Sequence, residues 1–443
     1  MFRLPARWRD DRVLLTLCAL AFLISLAFNA AIMPGFGPDE PRHFAYLKLL
    51  WEEHSLPRIL STAPYSEYRG AHAFHPPLYY LVLLPFYALS RSLSDGNAIH
   101  FLRFWSGLMC VAALPLLYDV ALVASGQRKV ARAAVGTVAL VPMFALTSGT
   151  LNNDAGAFFL SSLFLWLLFW KWRGEFDIKK AALLGLVLGL GGLTKATALA
   201  VGAVALLVCV AVWAKNGASK GKLAMFALAT LFVGVVVVSP WHIRSMRLYG
   251  TWTPLPEAAP WGQLPPPSAG KLLMALHPNF PGVFAQSNES LFYSLWGQRD
   301  WLWQRDAPFV GFPPTLQGVQ LGIYLVLGAL CLASLVGTFV GRKRAKAGVE
   351  NRSAFFGCLA AFGALWLSVL QVALFWHQGW AEGGRYLFPA LIGFALLLCS
   401  GWERLFQKRF GIFGRVWLGA LLVLDALCLL WLLVYLNPTY GPK

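Results

Sequence analysis

Apolar runs of about 20 residues, the length that an α-helix needs to cross a bilayer, recur along almost the whole chain. The sequence has 443 residues, of which 58% are hydrophobic and 13% charged. A soluble protein could not cover its surface with so few charges. We therefore predict an all-α, polytopic transmembrane helical bundle that forms a single domain over residues 1–443. About eleven spans are expected, near residues 13–33, 104–124, 133–149, 155–170, 181–194, 196–213, 223–241, 316–340, 353–376, 386–401 and 416–436.

Basic clusters between these runs predict the topology. Lys and Arg concentrate in residues 3–12, 128–132, 171–180, 215–222, 342–352 and 404–415. Because basic loops tend to stay in the cytoplasm, we place the N-terminus inside and the C-terminus outside. The net charge of +17 is spread over these loops. It therefore predicts contacts with anionic membrane lipids and no nucleic-acid partner. The non-cytoplasmic segments are then 34–103, 152–154, 242–315 and 377–385.

The apolar segment 76–90 is short for a full crossing, at about 15 residues. If it crossed, a further crossing would be needed to keep residues 128–132 and 152–154 on their assigned sides. We predict instead that it lies in the interface or re-enters. Residues 34–103 then form a large first external loop that carries juxtamembrane helices.

An acidic pair, Asp39 and Glu40, stands just beyond the first apolar run. Two carboxylates so close to hydrocarbon are costly unless they face water or a polar cavity. One hypothesis makes either of them a general base for a substrate hydroxyl. The alternative is that they cap the next helix, with Pro41 in its first turn. Arg42 follows, either as a phosphate ligand with planar, paired donors or as a side chain that extends to lipid headgroups, and His43 is a further substrate-binding candidate.

A second polar group closes the first loop, where His72 and His75 precede Pro76-Pro77. Two histidines at this spacing are a weak metal signal, and the proline pair prevents a regular helix. We predict that His75 hydrogen-bonds a phosphate and that nearby Tyr79 contacts substrate.

Three further polar positions fall at the ends of apolar runs. Asn153 and Asp154 form either a simple turn or part of a substrate site. Lys195 and Arg385 are either interfacial anchors or phosphate ligands, and Tyr386 beside Arg385 is a candidate substrate contact.

Several kinds of chemistry are disfavoured. The sequence has no phosphate-binding loop, dinucleotide fingerprint, zinc-protease motif or nucleophile elbow, so a nucleotide-driven pump is not expected. All seven cysteines lie within apolar runs and predict buried thiols rather than disulfides. We predict no cofactor and no essential metal, although Asp39, Glu40 and Asp154 could converge on a divalent ion.

Five motifs in order give the chain a family resemblance. It resembles the GT-C class of integral-membrane glycosyltransferases, which contains the protein O-mannosyltransferases and the lipid A aminoarabinose transferase, and is similar to bacterial uncharacterised membrane proteins of that group. The resemblance covers residues 13 to about 400. It rests on Pro38-Asp39-Glu40-Pro41-Arg42-His43, His75-Pro76-Pro77-Leu78-Tyr79-Tyr80, Asn152-Asn153-Asp154, Leu193-Thr194-Lys195 and Gly384-Arg385-Tyr386-Leu387-Phe388-Pro389.

The resemblance implies a sugar donor on a polyprenyl phosphate and a lipid, glycan or protein acceptor reached from the non-cytoplasmic side. It implies Asp39 as the catalytic acid–base position and Arg42 as a donor-phosphate ligand. Relatives often have Lys where this chain has His75, which is a weaker phosphate partner when neutral.

Our hypothesis is an inverting glycosyltransferase of the bacterial inner membrane, active on the periplasmic side in cell-envelope polysaccharide or glycolipid synthesis. The alternatives are a non-enzymatic lipid or polysaccharide transporter and a structural subunit of an envelope assembly. The Pro- and Trp-rich loop 242–315 is expected to shape the acceptor site through Trp261, Trp296 and Trp301, or else to cap the bundle at the interface.

Overall fold

The computed structural model describes residues 5–58, 73–252, 280–296, 317–340, 348–376, 384–436 and 438. Sixteen α-helices account for most of these residues. They are α1 Ala6–Arg9, α2 Arg12–Ala31, α3 Glu40–Glu53, α4 Leu78–Ser90, α5 Asp95–Ser125, α6 Arg128–Leu140, α7 Pro142–Ser148, α8 Asp154–Trp166, α9 Ile178–Gly192, α10 Ala196–Lys215, α11 Lys220–Tyr249, α12 Phe280–Leu295, α13 Gln317–Val340, α14 Val349–Trp376, α15 Leu391–Phe406 and α16 Phe410–Trp431. A 3-10 segment, Gly384–Ala390, leads into α15.

The long helix α5 lies at the centre of the bundle. It packs against α2, α4, α6, α8 and α14. Its ends are defined by local chemistry, because the Ser94 hydroxyl accepts a hydrogen bond from the backbone N–H of Asn97 and Gly126 ends the helix with a φ of 67°. Apolar side chains on its buried faces, including Leu102 and Leu114, join the main core.

Small residues bring α9 and α11 into close contact. A Cβ on Gly185 would lie 2.5 Å from the carbonyl oxygen of Thr230, and one on Gly189 would lie 2.5 Å from the Cβ of Val237. Small residues at such contacts are typical of membrane helices, because the hydrophobic effect does not drive their association and close van der Waals packing does.

The predicted apolar runs coincide with helices, with one break. The run 133–149 bends by 57° between α6 and α7, since Pro142 has no N–H to continue the helical hydrogen bonding. Within the described residues, seven helices are long and apolar enough to cross a membrane, or eight if the bent pair is one span. The chain is thus a multi-pass membrane protein and its all-helical class is confirmed, whereas the count of eleven spans stays a prediction. The short segment becomes α4, which has 13 residues.

Described residues of the predicted basic loops lie together at one end of the bundle. Arg132 pairs with Asp11 at 3.0 Å, and Lys129 pairs with Glu403 at 3.3 Å. The turns that carry the predicted site residues meet at the opposite end, as alternation of the spans requires.

Much of the Pro- and Trp-rich loop, with Trp261 and Trp301, lies outside the described residues, as does His72. Trp296 is described and is 1% exposed. Its ring packs against Phe394 and Trp417, with centroids 6.4 and 5.8 Å away. Trp296 is therefore a core residue in this structure, which favours a packing role over the acceptor contact expected from sequence.

Candidate active site

Five separate parts of the chain meet at this end. They are the N-terminus of α3, the start of α4, the turn before α8, the link between α9 and α10, and the 3-10 segment before α15. Each begins or ends a helix, so polar backbone groups and polar side chains accumulate there.

Asp39 occupies the N-cap position of α3, but its side chain makes no capping hydrogen bond. Its carboxylate lies instead between two guanidinium groups. One oxygen is 3.3 Å from Nη1 of Arg42, and the other is 2.9 Å from Nη2 of Arg385. The three side chains are 12–15% exposed. The capping interpretation therefore does not describe Asp39, which joins two segments 346 residues apart.

A second ion pair adjoins the first. Lys195 donates to Asp154 at 2.6 Å, and both residues are buried. The Lys195 ammonium also lies 5.1 Å from the centre of the Tyr386 ring, and the Arg385 guanidinium lies at the same distance from that ring. Tyr386 thus links the two ion pairs. The charges of Asp39 and Asp154 both act on its hydroxyl.

Histidines and tyrosines lie next to this cluster. Nδ1 of His43 is 2.7 Å from the hydroxyl of Tyr80. The His43 ring stacks on His75, with centroids 5.8 Å apart. Asp39 and Asp154 also act electrostatically on Tyr80. His75 is thus brought to the site region.

Three predicted site residues have other surroundings. Glu40 is fully buried and pairs with Arg103 at 2.6 Å. The Tyr79 hydroxyl is 2.7 Å from the Ser106 hydroxyl inside the bundle. The Asn153 amide donates to the Thr194 carbonyl, which connects the turn before α8 to the link before α10. These partners, Arg103, Ser106 and Thr194, are not members of the charged cluster around Asp39 and Asp154.

Arg103 is a buried residue of this region that was not predicted from the sequence. It lies in an apolar stretch, and its partner Glu40 is 63 residues earlier. The available signal was an arginine directly before the predicted span 104–124, since ionisable residues so close to an apolar span usually have a partner or a function.

No group of three or more His, Cys, Asp or Glu side chains in the described part of the chain is placed to hold a metal ion. The carboxylates of Asp39, Glu40 and Asp154 each pair with a cation instead. The arrangement offers a carboxylate able to take a proton beside several cations able to hold an anion.

The chain is similar to a known protein family model and to solved membrane-protein structures. A family model described as dolichyl-phosphate-mannose-protein mannosyltransferase matches residues 74–243. The crystal structure of the Archaeoglobus fulgidus oligosaccharyltransferase in complex with Zn and sulfate matches with a TM-score of 0.54 and 14% identity, over 93% of this chain and 52% of that one. Its apo form matches with a TM-score of 0.52 and 15% identity, over 98% and 56%.

The chain has a GT-C fold. The predicted fold is thereby confirmed. The chain spans about half the length of the oligosaccharyltransferase structures that it matches. ArnT from Cupriavidus metallidurans bound to undecaprenyl phosphate is also similar, with a TM-score of 0.40 and 14% identity over 93% of this chain and 79% of that one. No curated protein matches the sequence. The family-model match includes Asp154 and Lys195, whereas Asp39 and Arg385 lie outside it.

Proposed function

We propose that this protein transfers a sugar from a polyprenyl-phosphate donor to an acceptor hydroxyl on the non-cytoplasmic face of a bacterial inner membrane. The observation that carries the proposal is the Asp39 carboxylate between Arg42 and Arg385, beside the Lys195–Asp154 pair. The GT-C fold and the mannosyltransferase family model support a lipid-linked donor. The matched oligosaccharyltransferase has been crystallised with sulfate, an anion with the tetrahedral shape of a phosphate.

In the proposed reaction the acceptor oxygen attacks the anomeric carbon from the face opposite the phosphate. The new C–O bond forms while the bond from the anomeric carbon to the phosphate oxygen breaks, so the configuration inverts. Asp39 takes the proton from the attacking hydroxyl. The electron pair of the broken bond leaves with the polyprenyl phosphate.

The cations stabilise this leaving group. Arg385 and Arg42 supply planar donors, which match a phosphate, and Lys195 adds a compact charge. Negative charge on the phosphate grows as the bond breaks, so fixed cations favour the transition state over the ground state. His75 is a weaker phosphate candidate, and we propose that His43, Tyr386 and Asp154, which lie beside the cations, contact the sugar or the acceptor.

The test is a transfer assay with purified protein in proteoliposomes. The probes are radiolabelled undecaprenyl-phosphate monosaccharides of the hexose, pentose and aminopentose classes, with a bacterial lipid and glycan extract as acceptor. We expect label in a new product, release of undecaprenyl phosphate and an inverted anomeric configuration by NMR. Transfer should persist in EDTA, since we propose no essential metal.

Asp39→Asn should lower turnover by about 10²–10⁴-fold, the usual contribution of a general base. Asn tolerates the left-handed backbone at this position, where φ is 56°, so the fold should remain intact. The control is Asp95→Asn, which removes an exposed carboxylate paired with Lys48 in the same predicted external loop. Near-normal turnover by Asp39→Asn would exclude the base assignment. Movement of unaltered donor across the bilayer without transfer would favour the transporter alternative.

A further inference from the structure

The buried ion pair of Glu40 and Arg103 lies between the chain segments that carry Asp39 and Asp154. Both side chains are fully buried, and their charged atoms approach to 2.6 Å. Glu40 directly follows Asp39 in the chain. Its Oε1 also accepts from the backbone N–H of Leu151 at 2.8 Å, three residues before Asp154.

The five N–H groups of Arg103 all donate hydrogen bonds within residues 29–40. Nε and Nη2 donate to the two oxygens of Glu40, at 2.8 and 2.6 Å. The remaining N–H groups donate to the carbonyls of Asn29, Ile32 and Met33. These carbonyls belong to the last turn of α2, to its C-cap residue and to the residue after the cap. Arg103 thereby fixes the end of α2 to the start of α3.

The Glu40 carboxylate accepts all the hydrogen bonds that it makes in the described part of the chain. Oε1 accepts from Arg103 and Leu151, and Oε2 accepts from Arg103 and from the backbone N–H groups of Gly35 and Gly37, at 2.9 and 3.4 Å. A glutamine here would have to direct its NH₂ group at one set of these donors. The geometry therefore requires a carboxylate and not merely a polar side chain of the same size.

We propose that the Glu40–Arg103 pair fixes the position of Asp39 relative to Asp154 in the candidate site. This inference rests on the proposed function and assigns Glu40 a role distinct from acid–base chemistry. The pair holds the turn 33–38 and the turn before α8 through a single carboxylate. A displacement of about 1 Å at reacting groups can cost about 10²-fold in rate, so loss of this link acts on catalysis through Asp39 and Asp154.

Glu40→Gln tests the proposal. We expect kcat to fall by about 10- to 100-fold, while KM for the undecaprenyl-phosphate sugar changes by less than about threefold. Backbone hydrogen exchange should rise together in residues 33–38 and 150–154, because the NH₂ group of glutamine repels the donors of one turn and displaces the side chain that the other turn also contacts. The exchange measurement needs no enzymatic activity, so it remains decisive if the proposed reaction is wrong.

The matched control is Asp119→Asn. Asp119 is a fully buried carboxylate that pairs with Arg7 at 2.7 Å at the other end of the bundle. We expect this variant to lose thermal stability but to keep kcat and the exchange of residues 33–38 and 150–154. If Glu40 only stabilised the bundle, both variants would lose stability and neither would lose kcat per folded molecule, and that result would overturn the proposal.

Gly37→Ala provides a second test that leaves both charges in place. A Cβ on Gly37 would lie 2.8 Å from a Thr150 methyl and 3.1 Å from the Glu40 carboxyl carbon. It should force the two turns apart and give the same fall in kcat with little change in donor KM. This variant decides the question if Glu40→Gln does not fold. Exchange that rises in only one of the two turns, or an unchanged kcat, would contradict a shared positioning role.

Discussion

Asp39 combines an unusual backbone conformation with an unusual set of partners. Its φ of 56° lies in the left-handed region, which costs a non-glycine residue roughly 1 kcal/mol. A helix N-cap normally offers its side chain to the first turn, whereas this carboxylate pairs with Arg42 and Arg385. Strain of this kind persists where the surroundings fix the residue, as the buried Glu40 next to it does.

Arg385 should contribute to donor binding as well as to stabilisation of the leaving phosphate. Replacement by Ala removes a charge-assisted hydrogen-bond donor for the phosphate, worth about 1.5–3 kcal/mol, so KM for the donor should rise about 10- to 100-fold. The matched control is Arg247→Ala, an exposed arginine near the end of α11. Steady-state kinetics with the donor varied will check this. Equal KM values for both variants would remove Arg385 from the phosphate site.

Most residues of the charged cluster could be predicted from the sequence as site residues, but the ion pairs that they form could not. Polar residues at the ends of apolar runs were visible because they are costly there. Their partners were not visible, since Asp39 and Arg385 are 346 residues apart. Glu40 was grouped with Asp39 because adjacent carboxylates look equivalent in a sequence. Burial separates them, and burial is a property of the fold.

Among the elements, α4 is the one whose relation to the membrane matters most. Its 13 residues rise about 20 Å, less than the roughly 30 Å of hydrocarbon. The length and apolar character of the runs predicted the long helices well, because a hydrophobic run of bilayer length has few other folds. The bend at Pro142 has a local cause, but its angle of 57° and the position of α4 relative to the membrane depend on neighbouring helices, and so they could not be predicted in detail.

A cysteine at Asn97 tests the position of α4. Asn97 is exposed near the start of α5, and replacing it spares the Ser94 hydroxyl that caps this helix. If α4 does not cross, an impermeant thiol reagent should label this site from outside. The control, a cysteine at Lys220, should react only after the inner face is opened. Background should be low because five of the seven native cysteines are buried. Labelling of both sites only from inside would mean a further span.

At the scale of the whole molecule, positive charge lies at both ends of the bundle. One end holds the basic loops, with Arg132 and Lys129 paired to Asp11 and Glu403. The other holds Arg42, Lys195 and Arg385 around Asp39 and Asp154. A lipid phosphate is attracted to either end, but among the described residues only the second end offers a carboxylate flanked by guanidinium groups of two distant segments.

We propose that this second end of the bundle receives the donor phosphate. Cryo-electron microscopy of the protein in lipid nanodiscs with added undecaprenyl phosphate tests it most directly. We predict phosphate density within hydrogen-bond distance of Arg42 and Arg385, with the polyprenyl chain leaving between helices into the bilayer. Phosphate density confined to the basic loops at the opposite end, with Asp39 still paired to both arginines, would contradict the account.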